Sequence, residues 1–107
     1  MIYISVEDFY QKVSTLSPMS REEERACAKR MQEGDPTARK QLVDSYLPMV
    51  AAHVRRCGNL QSLSLVMHCV QALENSVDRF NFLQDSETFS HRLSWALRQA
   101  TTKHIVR

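Results

Sequence analysis

Apolar side chains recur every three or four residues along most of this chain, which is the spacing of one face of an α-helix. No alternation of apolar and polar residues is long enough to predict a β-strand. Ser5 precedes the acidic residues Glu7 and Asp8 and predicts the start of a first helix, because a serine side chain can accept the free N–H groups there. We expect this helix to end near Thr15 and to bury Val6, Phe9, Tyr10 and Val13.

The starts of the next two helices are marked by capping residues. Ser20 and Glu23 have the spacing of a capping box, and Gly34 is the residue type that commonly follows a helix. Asp35 and Pro36 predict the third start, since proline lacks the N–H that would be unpaired there. The side chains of the second helix expected to face inward are Ala26, Cys27 and Met31.

Pro48 interrupts the apolar segment that follows. Because proline cannot donate a backbone hydrogen bond and restricts the residue before it, we expect a break or sharp kink between Ser45 and Leu47. A fourth helix is then expected from Pro48 to about Cys57. The side chains expected to face the core along the two segments are Ala38, Leu42, Val43, Met49, Val50, His53 and Val54.

The last two predicted helices carry long apolar stripes. One runs from about Ser62 to Phe80, and its apolar set is Leu63, Val66, Val70, Leu73, Val77 and Phe80. After a loop at residues 81–86, the other runs from Ser90 to Ile105, and its stripe is Phe89, Leu93, Ala96, Leu97 and Ala100. Trp95, the one tryptophan of the chain, lies about 150° from the centre of that stripe and is expected to meet water.

These elements predict an all-α protein, a compact bundle of about five to six helices. The presence of only two glycines and three prolines favours helices over strands. A chain of 107 residues can bury one core but not two. We therefore expect a single domain over residues 1–107, with an N-terminal helix and linker at 1–19 and the remaining helices at 20–107.

Charge is unevenly distributed along the chain. No Asp or Glu occurs between Tyr46 and Leu73, a window that contains Arg55 and Arg56, and none occurs after Glu87, where several basic residues follow. Two basic, acid-free segments favour an anionic partner. On charge alone, ordinary solubilising charge is the slightly better interpretation of so few scattered bases.

Several other classes of protein are not indicated. The longest uncharged stretch is too polar to span a bilayer, the N-terminus carries acids where a signal peptide has bases, and the three cysteines form no CxxC pair. We therefore expect a reduced, cytoplasmic protein that does not enter a membrane.

Catalytic and metal-binding patterns are also missing from the sequence. It contains no GxSxG, no glycine-rich phosphate loop and no HExxH. His53 and Cys57 are four residues apart on a predicted helix, but no second close pair supplies the other ligands of a closed zinc site. We expect neither an enzyme, nor a metal, nor a cofactor, nor a small-molecule substrate.

Two stretches resemble bacterial sigma factors of the sigma-70 family. The segment "LSPMSREEERACAKRMQEGDPTARKQLVDSYLPMVAAHVRR" resembles the start of the RNA polymerase-binding domain, which covers region 1.2 to region 2. "VDRF" and "FSHRLSWALRQATTKHI" resemble its final helices, which contact and open promoter DNA. The resemblance implies a divergent region 2-like bundle in which residues 20–107 bind core RNA polymerase and contact the −10 element.

The resemblance also implies which residues contact promoter DNA. Trp95 matches the first of a tryptophan pair that stacks at the upstream edge of the melted −10 element, and Gln99 and Thr102 match positions near the adjacent base pair. His91 shares their side of the helix. The bases implied to contact phosphates are Arg55, Arg56, Arg98 and Lys103.

The chain departs from the family pattern at the same site. The second tryptophan is Ala96, the preceding tyrosine is Arg92, and the aromatic expected before Phe89 is Glu87. The pocket that captures a flipped base is therefore expected to lack most of its aromatic walls. We expect weakened contact with promoter DNA rather than strong promoter opening.

The fifth predicted helix departs as well. In the family it binds a coiled coil of the largest polymerase subunit through polar and acidic residues, which are replaced here by neutral ones. Polymerase binding is then weakened, or the face meets another partner such as an anti-sigma or other regulatory protein. Met67 and Val70 could instead belong to the core. The residues matched to this face are Leu63, Ser64, Met67, His68, Val70 and Glu74.

Three functions remain open from the sequence. The leading hypothesis is a transcription initiation domain that binds core RNA polymerase and contacts −10 promoter DNA. The alternative is a degenerate sigma-like protein-interaction module or transcription regulator that no longer opens promoters. The third hypothesis is binding of DNA through charge alone, and only the two basic segments support it.

Overall fold

The computed structural model describes residues 3–84 and 87–106. These residues contain five α-helices. Within these residues there is no β-strand, and the predicted all-α fold is confirmed. Residues 85 and 86 of the predicted loop lie outside the described part of the chain. The helices are α1 (Val6–Val13), α2 (Arg21–Gln32), α3 (Pro36–Arg56), α4 (Leu63–Arg79) and α5 (Phe89–Ile105), with a short 3-10 turn at Gly58–Leu60.

The predicted helix starts are confirmed by their caps. Ser5 accepts a hydrogen bond from the backbone N–H of Asp8, and Ser20 and Glu23 form both bonds of the capping box. Asp35 accepts from two backbone N–H groups at the start of α3, directly after Gly34 at a φ of 93°. A positive φ is unfavourable for side chains with a Cβ, so glycine suits the sharp turn between α2 and α3.

The expected break at Pro48 is wrong, because α3 runs without interruption from Pro36 to Arg56. Proline inside a helix costs about 3 kcal/mol through the lost hydrogen bond and steric conflict. Fully burying one aliphatic side chain contributes about 1.5–3 kcal/mol. Leu42 and Leu47 before and beside the proline are buried, as are Val50 and Val54 beyond it. Their combined burial outweighs the cost of one proline, so the predicted third and fourth helices are one element.

Three alanine assignments also differ from expectation. In α2, Ala28 is buried beside Cys27, whereas Ala26 is exposed. The Cys27 thiol donates to the carbonyl oxygen of Ala38 over 3.0 Å, which sets the side of α2 that meets α3. In α5, Ala96 and Ala100 are half-buried at the edge of the core rather than inside it.

The long helix α3 packs against α1, α2 and α4, and α5 packs along α4. The helices α4 and α5 run antiparallel, since His68 near the start of α4 contacts His104 near the end of α5. At the opposite end, the rings of Phe80 and Phe89 lie 5.2 Å apart. The buried side chains Leu93 and Leu97 hold α5 on this scaffold, so its outer face is available to a partner.

Candidate nucleic-acid interface

The outer face of α5 presents Trp95 to solvent. Its side chain is 54% exposed, as the helical geometry predicted, while Leu93 and Leu97 on the opposite side are buried. Gln99 lies one turn further along and is also exposed. A large exposed aromatic beside an amide is a surface on which an unpaired base could stack and form hydrogen bonds.

Arg98 lies beside the indole of Trp95. The guanidinium carbon is 5.6 Å from the ring centroid, within the range of a cation–π interaction. This contact places a positive charge next to the stacking surface, where the phosphate of a bound strand would be attracted. Thr102 is exposed on the same helix, and its hydroxyl donates to the carbonyl oxygen of Arg98 over 3.0 Å.

His53 joins the end of α3 to α5. Its Nε2 lies 2.8 Å from the hydroxyl oxygen of Thr101. Burial is the main cause that lowers the pKa of His53, and the positive charges of Arg56 and Arg98 lower it further. Arg56 at the end of α3 and Arg98 on α5 are therefore both close enough to His53 to disfavour its protonated form.

The other residues predicted to contact DNA do not all lie beside Trp95 and Arg98. The Arg55 guanidinium lies 4.4 Å from the ring centroid of Tyr10, toward α1. His91 is exposed in the first turn of α5, where its backbone N–H donates to the Thr88 hydroxyl. Lys103 lies with Gln99 along the groove between α4 and α5. A strand that contacted all eight predicted residues would have to follow most of the length of α5.

The two replaced aromatic positions pair with one another. Glu87 Oε1 accepts a hydrogen bond from Arg92 over 2.6 Å, and the Arg92 guanidinium lies 5.6 Å from the ring centroid of Phe80. An ion pair thus occupies the place where the sigma-factor resemblance expects the walls of a base pocket.

A cavity of about 300 Å³ adjoins this ion pair. Arg21 and Arg25 on α2 line one side, and Phe82 and Thr88 line the other. These two arginines were missed by the sequence reasoning, because on α2 they belong to an ordinary mixed-charge face. Only the packing of α2 near the start of α5 brings them to an aromatic-lined cavity.

On α4 the residues matched to polymerase binding divide between surface and core. Ser64 and Met67 are exposed, and Leu63 and His68 are half-buried. Val70 is buried and belongs to the core, so of Met67 and Val70 only Met67 contributes to the surface. Nδ1 of His68 lies 3.0 Å from Nδ1 of His104. His68, which was matched to the polymerase-binding face, therefore contacts the last turn of α5.

Glu74, the remaining residue of that set, faces α3. Its carboxylate lies 4.0 Å from the Arg39 guanidinium, which also binds Asp78 over 2.7 Å. The hydrogen bond from Arg39 lowers the pKa of the Asp78 carboxyl below its usual range. The two acids of α4 are thus paired on the α3 side. Arg39 was not identified from the sequence, because its partners lie on another helix.

The described residues contain no group of three or more metal-ligating side chains. The Cys57 thiol donates to the carbonyl oxygen of His53 over 3.3 Å, and the His53 ring is engaged by Thr101. No helix in the described part of the chain combines the length and apolar character needed to cross a bilayer.

No family model matches the chain. Over 96 residues it is 34% identical to the RNA polymerase sigma factor SigA of Clostridium acetobutylicum. The match covers 88% of this chain and 24% of that protein, so the chain spans about a quarter of the length of the relative. Together with the all-helical fold, this similarity supports a sigma-70-like domain.

Proposed function

We propose that this chain is a sigma-70-like transcription initiation domain that binds core RNA polymerase and contacts unpaired −10 promoter DNA. The observation that carries the proposal is the exposed indole of Trp95, with Arg98 beside it and Gln99 one turn away. The similarity to the Clostridium acetobutylicum sigma factor supports the same assignment.

The proposed mechanism is binding without covalent chemistry. An unpaired base stacks on Trp95, which contributes roughly 1–3 kcal/mol for each stacked base. The Gln99 amide can form two hydrogen bonds with an adenine edge, with Thr102 adjacent, and Arg56 and Arg98 attract phosphates. These contacts offset the few kcal/mol needed to unstack a base step.

The proposed polymerase-binding face is the exposed side of α4 around Ser64 and Met67. Ser64 and Met67 are uncharged, and the two carboxylates of α4 are paired with Arg39 on α3. A neutral face has little electrostatic attraction for a charged coiled coil, so we propose weakened binding to core polymerase.

The DNA contact is tested with a labelled single-stranded −10-like oligonucleotide and fluorescence anisotropy. Trp95→Ala should weaken binding about tenfold or more, since it removes the stacking surface. Leu60→Ala removes another exposed apolar side chain, outside α5, and should leave the affinity unchanged. Equal affinity of the Trp95→Ala variant and the unsubstituted protein would exclude Trp95 as the stacking residue.

A second candidate function is favoured by the Glu87–Arg92 ion pair. Because it replaces two aromatic walls, the domain could act as a sigma-like protein-interaction module, with an anti-sigma or other regulatory partner, without opening promoters. Pull-down with purified core RNA polymerase, combined with the DNA titration, separates the two functions. Capture of polymerase with single-strand binding supports the first function, and binding of neither leaves the interaction module.

A further inference from the structure

A groove of about 390 Å³ runs between α4 and α5. Its floor is made by three alanines, of which Ala72 lies on α4 while Ala96 and Ala100 lie one turn apart on α5. Amide side chains from Gln71, Asn75 and Gln99 line it as well. The groove is therefore apolar along its centre and lined by hydrogen-bonding groups.

The two ends of this groove are positively charged. Arg79 lies at the end of α4, and Lys103 lies at the opposite end beside His68 and His104, since the two helices are antiparallel. None of the lining residues is acidic. No carboxylate in the described part of the chain forms an ion pair with Arg79 or Lys103.

The spacing of the charges limits what can fill the groove. Arg79 follows His68 by eleven positions on α4, which corresponds to about 16 Å along a helix. A partner helix of about three turns spans this distance. Acidic side chains at both of its ends would meet Arg79 and Lys103, while small or aliphatic side chains between them would pack on the alanines.

We propose that this groove binds an acidic amphipathic helix of a partner protein. The two carboxylates of α4, those of Glu74 and Asp78, pair with Arg39 on α3 and do not line the groove, so its lining has only positive charge. A nucleic-acid strand fits less well, since three alanines offer no polar group to phosphates in the middle of the groove. The proposal goes beyond the DNA contact of Trp95, although Gln99 and Lys103 belong to both surfaces.

The test uses a fluorescein-labelled peptide of about three helical turns, with leucine and alanine on one face and glutamate at both ends. Fluorescence anisotropy should show binding to the full chain. Arg79→Glu and Lys103→Glu should each weaken it roughly fivefold to tenfold, because each brings like charges together. Lys29→Glu changes the same charge on α2, outside the groove, and should alter the affinity less than about twofold.

Two further peptides and one competitor complete the experiment. A peptide with lysine in place of the end glutamates should not bind, and one with serine in place of the leucines should bind more weakly. Equal binding of all three peptides, or an unchanged affinity for Arg79→Glu, would overturn the proposal. Displacement of the acidic peptide by a single-stranded oligonucleotide that itself requires Arg79 would assign the groove to nucleic acid instead.

A separate variant tests whether the partner helix packs on the alanines of the groove. Ala96→Gln fills the floor of the groove with a residue of good helix propensity and leaves every charge in place. It should abolish peptide binding, while circular dichroism remains that of the unsubstituted protein. Undiminished binding by a folded Ala96→Gln variant would show that the helix does not lie on the alanine floor.

Discussion

The carboxylate of Glu87 lies 2.6 Å from the guanidinium of Arg92, across the first turn of α5. Arg92 also covers the ring of Phe80, which belongs to a cluster with Phe82 and Phe89. Both charged residues stand where the sigma-factor resemblance expects aromatic side chains. Arg92 of the ion pair therefore lies against the aromatic cluster, and Trp95 is the large exposed hydrophobic aromatic on α5.

Restoring the aromatic residues should strengthen binding of single-stranded DNA. The double variant Glu87→Tyr/Arg92→Tyr supplies two additional stacking surfaces, each contributing roughly 1–3 kcal/mol for a bound base. We expect at least a fivefold higher affinity for a −10-like oligonucleotide, measured by anisotropy. The control Glu87→Ala/Arg92→Ala removes the ion pair without adding aromatic surface, and an equal gain in both variants would contradict the stacking explanation.

His53 should make the fold less stable in mild acid. Its pKa in the folded state is lowered by burial and by Arg56 and Arg98, whereas the unfolded value is about 6.5. The unfolded chain therefore binds more protons as the pH falls below about 6.5, and the free energy of unfolding decreases until the lower folded pKa is passed.

Urea unfolding between about pH 5 and pH 7.5 measures this effect. His53→Gln does not titrate there and can still form a hydrogen bond with Thr101, so its stability should depend less on pH. An identical slope in the His53→Gln variant would contradict the assignment.

Replacing Pro48 should stabilise the protein. Pro48→Ala restores the backbone N–H that the carbonyl oxygen of Asp44 lacks, and the helix is already continuous at this position. We expect a gain of about 1–2 kcal/mol, below the full cost of proline, because the unfolded chain also gains freedom. Chemical denaturation measures the change.

The matched control is Pro36→Ala at the first position of the same helix. No intrahelical hydrogen bond is lost to proline there, so this variant should be neutral or slightly destabilising. A Pro48→Ala variant that is no more stable than Pro36→Ala would show that α3 has fully accommodated the proline.

The sequence by itself determined the local elements. The helix starts at Ser5, Ser20 and Asp35 follow from capping hydrogen bonds between residues two or three positions apart, and such short spacings can be recognised in the sequence. The exposure of Trp95 follows from the angle between its side chain and the apolar stripe of the same helix. Both are properties of a single helix and need no neighbour.

The tertiary structure decided everything that depends on two helices. α3 is continuous at Pro48 because its apolar face is buried against other helices. The expectation that proline breaks a helix considers only neighbouring residues and does not include the energy of this burial. The pairing of Glu74 with Arg39 and of His68 with His104 requires side chains 35 or more positions apart in the chain to meet. The groove between α4 and α5, and the charges at its ends, likewise exist only because the two helices pack antiparallel.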